Sequence, residues 1–105
     1  MTKLYGVVGD PVSHSLSPVI HNAWIREHGL DATYEALHVP KGEFESGLSS
    51  LQDRQALGLN ITLPHKEAAI ELAESASEVA RRIGAANTLV RLKSGGWLAE
   101  NTDAP

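Results

Sequence analysis

Short apolar runs typical of β-strands alternate with segments of helical periodicity along most of this chain, and this alternation constrains the fold most strongly. The apolar runs predict strands at residues 4–8, 33–39 and 57–63. The segments that follow them predict helices at residues 18–27, 43–51 and 66–73. Strands joined by connections long enough for a helix usually lie parallel, with helices packed against the sheet. We therefore predict an α/β fold with a mixed, mainly parallel sheet flanked by helices on both faces.

The first predicted helix has a well-marked start. Ser17 can cap its N-terminus, and Pro18 takes the first helical position, where the missing N–H group is not needed. Ile20, Ala23 and Trp24 share one side of this helix, so we expect that side to face inward.

The last third of the chain predicts a short fourth helix. Ser75-Ala76-Ser77-Glu78 matches a capping box, and Gly84 is a natural helix end. We expect Val79 and Ile83 to point inward from this helix.

A C-terminal β-hairpin follows. Residues 88–92 and 97–102 flank Ser94-Gly95-Gly96, a sequence typical of a tight turn. Pairing outward from that turn sets Asn87-Thr88 opposite Thr102-Asp103, to within one residue of register.

Composition limits the classes of partner. A chain of 105 residues that is 42% hydrophobic fits one compact domain. Its net charge of −4 argues against nucleic acid, and means that an anionic ligand must be held by local contacts. The chain has no cysteine, no membrane-length apolar run and no signal-peptide pattern at its start, so we expect a cytoplasmic location.

Polar side chains interrupt three segments that otherwise have strand character. They are Asn60-Ile61-Thr62, Asn87-Thr88 and Asn101-Thr102-Asp103. Asn and Asp are depleted in strands, and each costs free energy if it is buried without partners. Since ligands of open α/β sheets bind at strand ends, we expect these segments to meet at one polar cleft suited to a hydroxyl-rich ligand.

Lys66 is the most unusual charge in the chain. It stands in the first turn of a predicted helix, where the helix dipole disfavours a cation. Paired with Asp103, it could exchange a proton with a carbonyl oxygen. The residues alone leave alternatives open, because Lys66 could be a solvated lysine balanced by Glu67 and Glu71, and Asp103 a turn residue.

Two further pairs of polar residues are candidate ligand contacts. Asn60 and Thr62 point to one side of a strand and could bind ring hydroxyls, or instead cap the next helix. Ser15 and Ser17 flank a helix N-terminus, where a carboxylate or phosphate can bind. Because capping competes for Ser17, Ser15 is the better candidate for contact with a ligand.

Metal and dinucleotide sites are not expected. The five histidines have no zinc-type spacing, and no G-x-G-x-x-G loop is present. We expect Trp24, Tyr34 and Trp97 to lie in the core or at its rim.

Four motifs, taken in order, identify a family. They are Gly9-Asp10-Pro11 leading to Ser15-Leu16-Ser17-Pro18, then Asn60-Ile61-Thr62-Leu63-Pro64-His65-Lys66, Gly84-Ala85-Ala86-Asn87-Thr88-Leu89 and Asn101-Thr102-Asp103. Together they closely resemble the N-terminal, substrate-binding domain of shikimate dehydrogenase, over essentially the whole chain. The resemblance implies a two-domain enzyme that reduces 3-dehydroshikimate to shikimate with NADPH, on the pathway to aromatic amino acids. It also implies that Ser15 and Ser17 hold the substrate carboxylate.

The same resemblance implies roles for five more residues. Asn60, Thr62 and Asn87 would grip ring hydroxyls, and Lys66 and Asp103 would form the catalytic dyad. In the family the chain continues into a Rossmann domain, whose Gly-rich loop is not found in residues 1–105. We therefore expect a single shikimate-binding domain that binds no NADP, is inactive alone, binds shikimate weakly and can self-associate through apolar surface exposed at the truncation, where the second domain of the family would follow.

Two alternatives to this interpretation stay open. One is a binding module for small hydroxylated acids that carries no catalysis. The other is a relative of the same family that favours quinate.

Overall fold

A computed structural model describes residues 2–10, 17–62 and 64–102, with the side chain of Ser17 outside the description. The described strands are β1 (Lys3–Gly9), β2 (Ala32–His38), β3 (Ala56–Ile61), β4 (Ser75–Ala76), β5 (Thr88–Arg91) and β6 (Trp97–Glu100). The described helices are α1 (Ser17–Glu27), α2 (Phe44–Asp53), α3 (Lys66–Leu72) and α4 (Glu78–Ile83). Apart from β4, which was not predicted, the predicted elements match these within one or two residues at each end.

The strands form one mixed sheet in the order β2-β1-β3-β5-β6-β4. Strand β1 pairs in parallel with β2 and with β3, and β4 pairs in parallel with β6. Strand β5 runs antiparallel to β3 and to β6, which makes β5 and β6 the predicted hairpin. The predicted α/β fold with a mainly parallel mixed sheet is confirmed.

The main core lies between one face of the sheet and helices α2 and α3. Phe44, Leu48 and Leu51 of α2 are buried at helical spacing. They pack with sheet residues that include Leu59 and Trp97. Helix α1 lies on the opposite face, so helices cover both faces of the sheet.

The predicted inward side of α1 is wrong. Ile20 is 64% exposed and Trp24 is 54% exposed. The helix instead docks through Asn22, whose Nδ2 donates to the carbonyl of Tyr34 at 2.8 Å and whose Oδ1 accepts from the Tyr34 N–H at 2.9 Å. Helical spacing shows which side chains share a side, but the tertiary packing decides which side is covered.

The start and the buried side of α4 also differ from the prediction. The helix begins after Ser77, whose side chain accepts a hydrogen bond from the N–H of Ala80, while Ser75 belongs to β4. Val79 and Ile83 are exposed, and the small Ala80 is buried in their place. The helix ends as predicted at Gly84, whose φ of 78° is readily adopted only by a residue without a Cβ.

The hairpin register differs from the predicted one by two residues. Thr88 pairs with Glu100, and Arg91 pairs with Trp97. The loop therefore includes Leu92, whose N–H bonds to the carbonyl of Gly96 at 2.9 Å. A shift of two residues keeps each side chain on its predicted face, because the strand repeat is two.

Replacing Ser77 by alanine is expected to lower the free energy of unfolding by about 1 kcal/mol, because the N–H of Ala80 loses its side-chain acceptor. Ser75→Ala is the matched control and should change this free energy by less than about 0.5 kcal/mol. Urea denaturation followed by circular dichroism measures both variants. A larger loss at Ser75 than at Ser77 would contradict the N-cap described here.

Candidate functional site

Several polar segments of the chain meet at one edge of the sheet. The N–H of Thr62 donates to the carbonyl of Val8 at 2.9 Å, which ties the end of β3 to the end of β1. The N–H of Ile61 donates to the carbonyl of Asn87 at 2.7 Å, at the start of β5. These backbone bonds gather the first two polar segments predicted from the sequence into one place.

Lys66 lies at the same edge, as the first residue of α3. Its carbonyl accepts the N–H of Ala86 at 2.8 Å, so its backbone is one residue from Asn87. The side chain is half-buried. Its position at the start of a helix, where a cation is not favoured by the dipole, matches the sequence-based prediction.

Asn87 connects the hairpin to the segment after β6. Its Nδ2 donates to Thr102 Oγ1 at 2.9 Å, and its Oδ1 accepts the N–H of Thr102 at 3.0 Å. The same oxygen accepts the hydroxyl of Thr88 at 3.0 Å. Among the described residues, Thr88 and Thr102 thus take both acceptor positions of the Asn87 side-chain oxygen, and the second hydrogen of its Nδ2 has no acceptor there and is available to a ligand.

Asn60 is exposed, whereas Thr62, Lys66 and Asn87 are half-buried. It lies on β3, and its Oδ1 accepts the hydroxyl of Tyr34 at 2.6 Å. Thr62 is half-buried two residues further on, just past the end of the strand. Tyr34 itself is buried, as predicted, but its link to the candidate site was missed. A single sequence does not reveal the order of strands in a sheet, so it does not show that β2 lies two strands from β3.

His65 was also missed as a part of this region. It is 2% exposed, its Nε2 donates to the carbonyl of Val39, and its ring stacks on Phe44 with centroids 4.9 Å apart. Its N–H bonds to the carbonyl of Thr62 at 3.1 Å. His65 therefore anchors the turn between Thr62 and Lys66 in the core.

Asp10 follows β1 at the same edge. His38 Nε2 donates to its Oδ1 at 2.9 Å, and the N–H of Lys41 contacts its Oδ2 at 3.3 Å. The hydrogen bond from His38 is the main cause that lowers the pKa of Asp10 below its ordinary value of 3.8. Because the charged form is favoured in the folded state, this contact stabilises the protein above pH 3.8, and its contribution is lost as pH falls through the lowered pKa.

Four of the predicted site residues are thus assembled: Asn60, Thr62, Lys66 and Asn87. The other three cannot be placed, because Ser15, Asp103 and the side chain of Ser17 lie outside the described residues. Thr102, the residue before Asp103, is held against Asn87. The assembled groups offer an ammonium, amides and a hydroxyl, which suit a small ligand rich in oxygen atoms.

Among residues 2–10, 17–62 and 64–102, no group of three or more His, Asp or Glu side chains could hold a metal ion. The helices in that part of the chain are too short or too polar to cross a bilayer.

A groove of about 530 Å³ runs from this edge along the sheet face that carries α1. Asn60 and Thr88 line it together with apolar and aromatic side chains such as Tyr5, Trp24 and Val90. The polar site and an apolar surface are therefore neighbours.

A mixed α/β domain with amide, hydroxyl and ammonium groups at one sheet edge is of the class that binds small polar molecules. Residues 7–89 match the family model of the shikimate dehydrogenase substrate-binding domain. The chain belongs to that family.

Similar proteins include shikimate dehydrogenases and one enzyme with a different name. A shikimate dehydrogenase (NADP(+)) from Hyphomonas neptunium is 59% identical over 105 residues, which are all of this chain and 38% of the relative. The shikimate 5-dehydrogenase from Thermus thermophilus, solved in complex with NADP(H) and shikimate, has a TM-score of 0.90 and 39% identity, covering 99% of this chain and 39% of that one. A 5-ketofructose reductase from Gluconobacter has a TM-score of 0.92 at 27% identity, covering 98% of this chain and 37% of that one. The chain thus spans less than half the length of these relatives.

Proposed function

We propose that this chain is the substrate-binding domain of an NADP-dependent shikimate dehydrogenase, which reduces 3-dehydroshikimate to shikimate and runs in reverse. The observation that carries this proposal is the convergence of Asn60, Thr62, Lys66 and Asn87 at one sheet edge in a member of this family. On this proposal, residues 1–105 form one domain, and the NADP-binding domain belongs to the remaining length that the relatives have.

The proposed binding mode divides the ligand among three sets of groups. Ser15 and Ser17 take the carboxylate at the start of α1. Asn60, Thr62 and Asn87 take the ring hydroxyls, for which amide and hydroxyl groups can both donate and accept. Direct contacts of this kind are needed because the net charge of −4 does not attract an anion.

The proposed chemistry of this chain is proton transfer. The hydride that reduces the carbonyl carbon of 3-dehydroshikimate would come from NADPH, held by the remaining part of the complete protein. The carbonyl oxygen then gains negative charge, and the Lys66 ammonium gives it a proton, so that an alcohol forms. Asp103 is the second member of the proposed dyad, and in the reverse direction the neutral amine of Lys66 takes the proton back.

The shape of the domain by itself does not select the substrate. The Gluconobacter neighbour has a name that specifies a different ketone, although its fold matches this chain closely. There are two competing hypotheses. One is an enzyme of the same family that prefers quinate, and the other is a domain that binds small hydroxylated acids without catalysis. What favours shikimate dehydrogenase is the level of identity, 59% with one relative of that name against 27% with the reductase.

The 105-residue chain is expected to bind shikimate weakly and to produce no turnover. Titration with shikimate, followed by ¹⁵N NMR, should shift the signals of Asn60, Thr62, Lys66 and Asn87, and quinate should do so less. Mixing the chain with NADPH and 3-dehydroshikimate should leave the nicotinamide absorbance constant. Shifts confined to other parts of the chain would refute the site, and turnover by the chain alone would refute the proposed division into domains.

In the complete protein, Lys66→Ala is expected to lower kcat by about 10²- to 10⁴-fold with a much smaller change in KM, because the alkoxide loses its proton donor. Lys93→Ala is the matched control, since Lys93 is a lysine of the hairpin turn, away from the candidate site, and should leave both constants unchanged. Steady-state kinetics with NADPH measure both variants. A Lys66→Ala enzyme with near wild-type kcat would remove Lys66 from the proposed role.

We also propose that the 105-residue chain self-associates through the apolar surface next to the groove. Val19, Ile20 and Trp24 of α1 are each more than half exposed, and such contiguous apolar area is unusual on a monomer. Sedimentation velocity should show a mass that rises with concentration, and Ile20→Glu should reduce this rise. Arg26→Glu, which alters an exposed charge on the same helix, should not. A monomer at all concentrations would refute the proposal.

A further inference from the structure

Tyr34 is held firmly on the face of the sheet that carries α1. It is 5% exposed, and its N–H and C=O groups are both bonded to the side chain of Asn22. The ring of His21 stacks on the tyrosine ring at a centroid distance of 4.2 Å, with only 10° between the planes. Backbone and ring are therefore both fixed by α1.

The side chain of Tyr34 reaches across β1 to the candidate site, where its hydroxyl bonds to Asn60. Tyr34 is on β2 and Asn60 is on β3, with β1 between them. Strands lie about 4.8 Å apart, so the backbones of β2 and β3 are about 10 Å apart, and the side chains of Tyr34 and Asn60 together with their hydrogen bond span this distance. The O···O distance is 2.6 Å.

This contact determines whether the oxygen or the NH₂ group of the Asn60 amide faces away from Tyr34, at the edge of the sheet where the candidate site lies. A separation of 2.6 Å is normal for an O–H···O bond and is shorter than usual for N–H···O. The Asn60 oxygen therefore faces Tyr34, and its NH₂ group is turned the other way. No acceptor in the described part of the chain forms a hydrogen bond with this NH₂ group, and the Asn60 side chain is exposed.

We propose that Tyr34 is a positioning residue, which makes Asn60 a donor of hydrogen bonds to an acceptor oxygen of the ligand. This inference rests on the proposed role of Asn60 in binding shikimate. The amide torsion of asparagine is broad and roughly two-fold, so without the tyrosine hydroxyl the group is free to present either oxygen or nitrogen. Fixing the donor end toward the ligand favours a carboxylate, carbonyl or hydroxyl oxygen at this position.

The test is a double-mutant cycle in the 105-residue chain, with shikimate as the probe. Tyr34→Phe, Asn60→Ala and the double variant are titrated by NMR, and the shift of the Asn60 side-chain NH₂ signals is followed wherever Asn60 is present. Tyr34→Phe should weaken binding by roughly 2- to 10-fold, the change that one neutral hydrogen bond produces. It should cause no further loss when Asn60 is already alanine.

Tyr5→Phe is the matched control. It removes a hydroxyl from the neighbouring strand on the same face of the sheet, and should leave shikimate binding unchanged. Thermal unfolding of each variant separates a loss of stability from a loss of binding.

Asn60→Asp adds an independent test that leaves Tyr34 in place. The aspartate keeps an oxygen for the tyrosine hydroxyl but has no NH₂ group, so binding should fall at least as far as in Asn60→Ala. Wild-type affinity in Asn60→Asp would overturn the donor assignment.

The outcomes separate this inference from the proposed function. If Asn60→Ala weakens binding but Tyr34→Phe does not, the positioning role is refuted and the binding site stands. The positioning role is also refuted if Tyr34→Phe weakens shikimate binding by the same factor in the wild type and in Asn60→Ala. If Asn60→Ala binds shikimate as the wild type does, the proposed role of Asn60 fails, and the inference fails with it.

Discussion

The parallel pairing of β1 with β3 is the constraint on which the rest of the candidate site depends. Parallel strands end at the same edge, so Asp10 and Thr62 emerge side by side from distant parts of the sequence. Because β5 runs antiparallel to β3, the edge where β3 ends is where β5 begins, and this brings Asn87 to the same place. Since β6 runs antiparallel to β5, it ends there as well. Strand direction alone therefore gathers four chain segments.

Side-chain hydrogen bonds then give that edge a defined chemistry. Asn87 uses both ends of its amide on Thr88 and Thr102, while Asn60 is turned by Tyr34. His65 ties the turn that carries Lys66 to the core. These bonds supply the partners that buried or half-buried polar groups need, and they also limit which atoms are left for a ligand. Two asparagines that look equivalent in the sequence are thus unequal in the structure.

The sequence predicted the elements well and their buried sides less well. The helix and strand positions, the hairpin and the Gly84 helix end are confirmed, because each follows from local patterns of apolar and turn residues. The inward faces of α1 and α4 were wrong, since Ile20, Trp24, Val79 and Ile83 are exposed. Apolar periodicity identifies a side of a helix, but burial needs another element to cover it. The two-residue change in hairpin register has a similar cause, since pairing depends on how Leu92 closes the loop as well as on where the glycines stand.

The amino-acid sequence by itself determined the class of fold, the family and the residue types available to the site, because these depend on short patterns in which each residue is read with its near neighbours. It also marked Lys66 and the asparagines as out of place in their local settings. Only the tertiary structure decided that Tyr34, 26 positions before Asn60, orients that amide, and that Asn87 is largely occupied by its own neighbours. Such contacts join strands that are not adjacent in sequence, and their geometry depends on sheet order, strand spacing and the docking of α1, which no local pattern records.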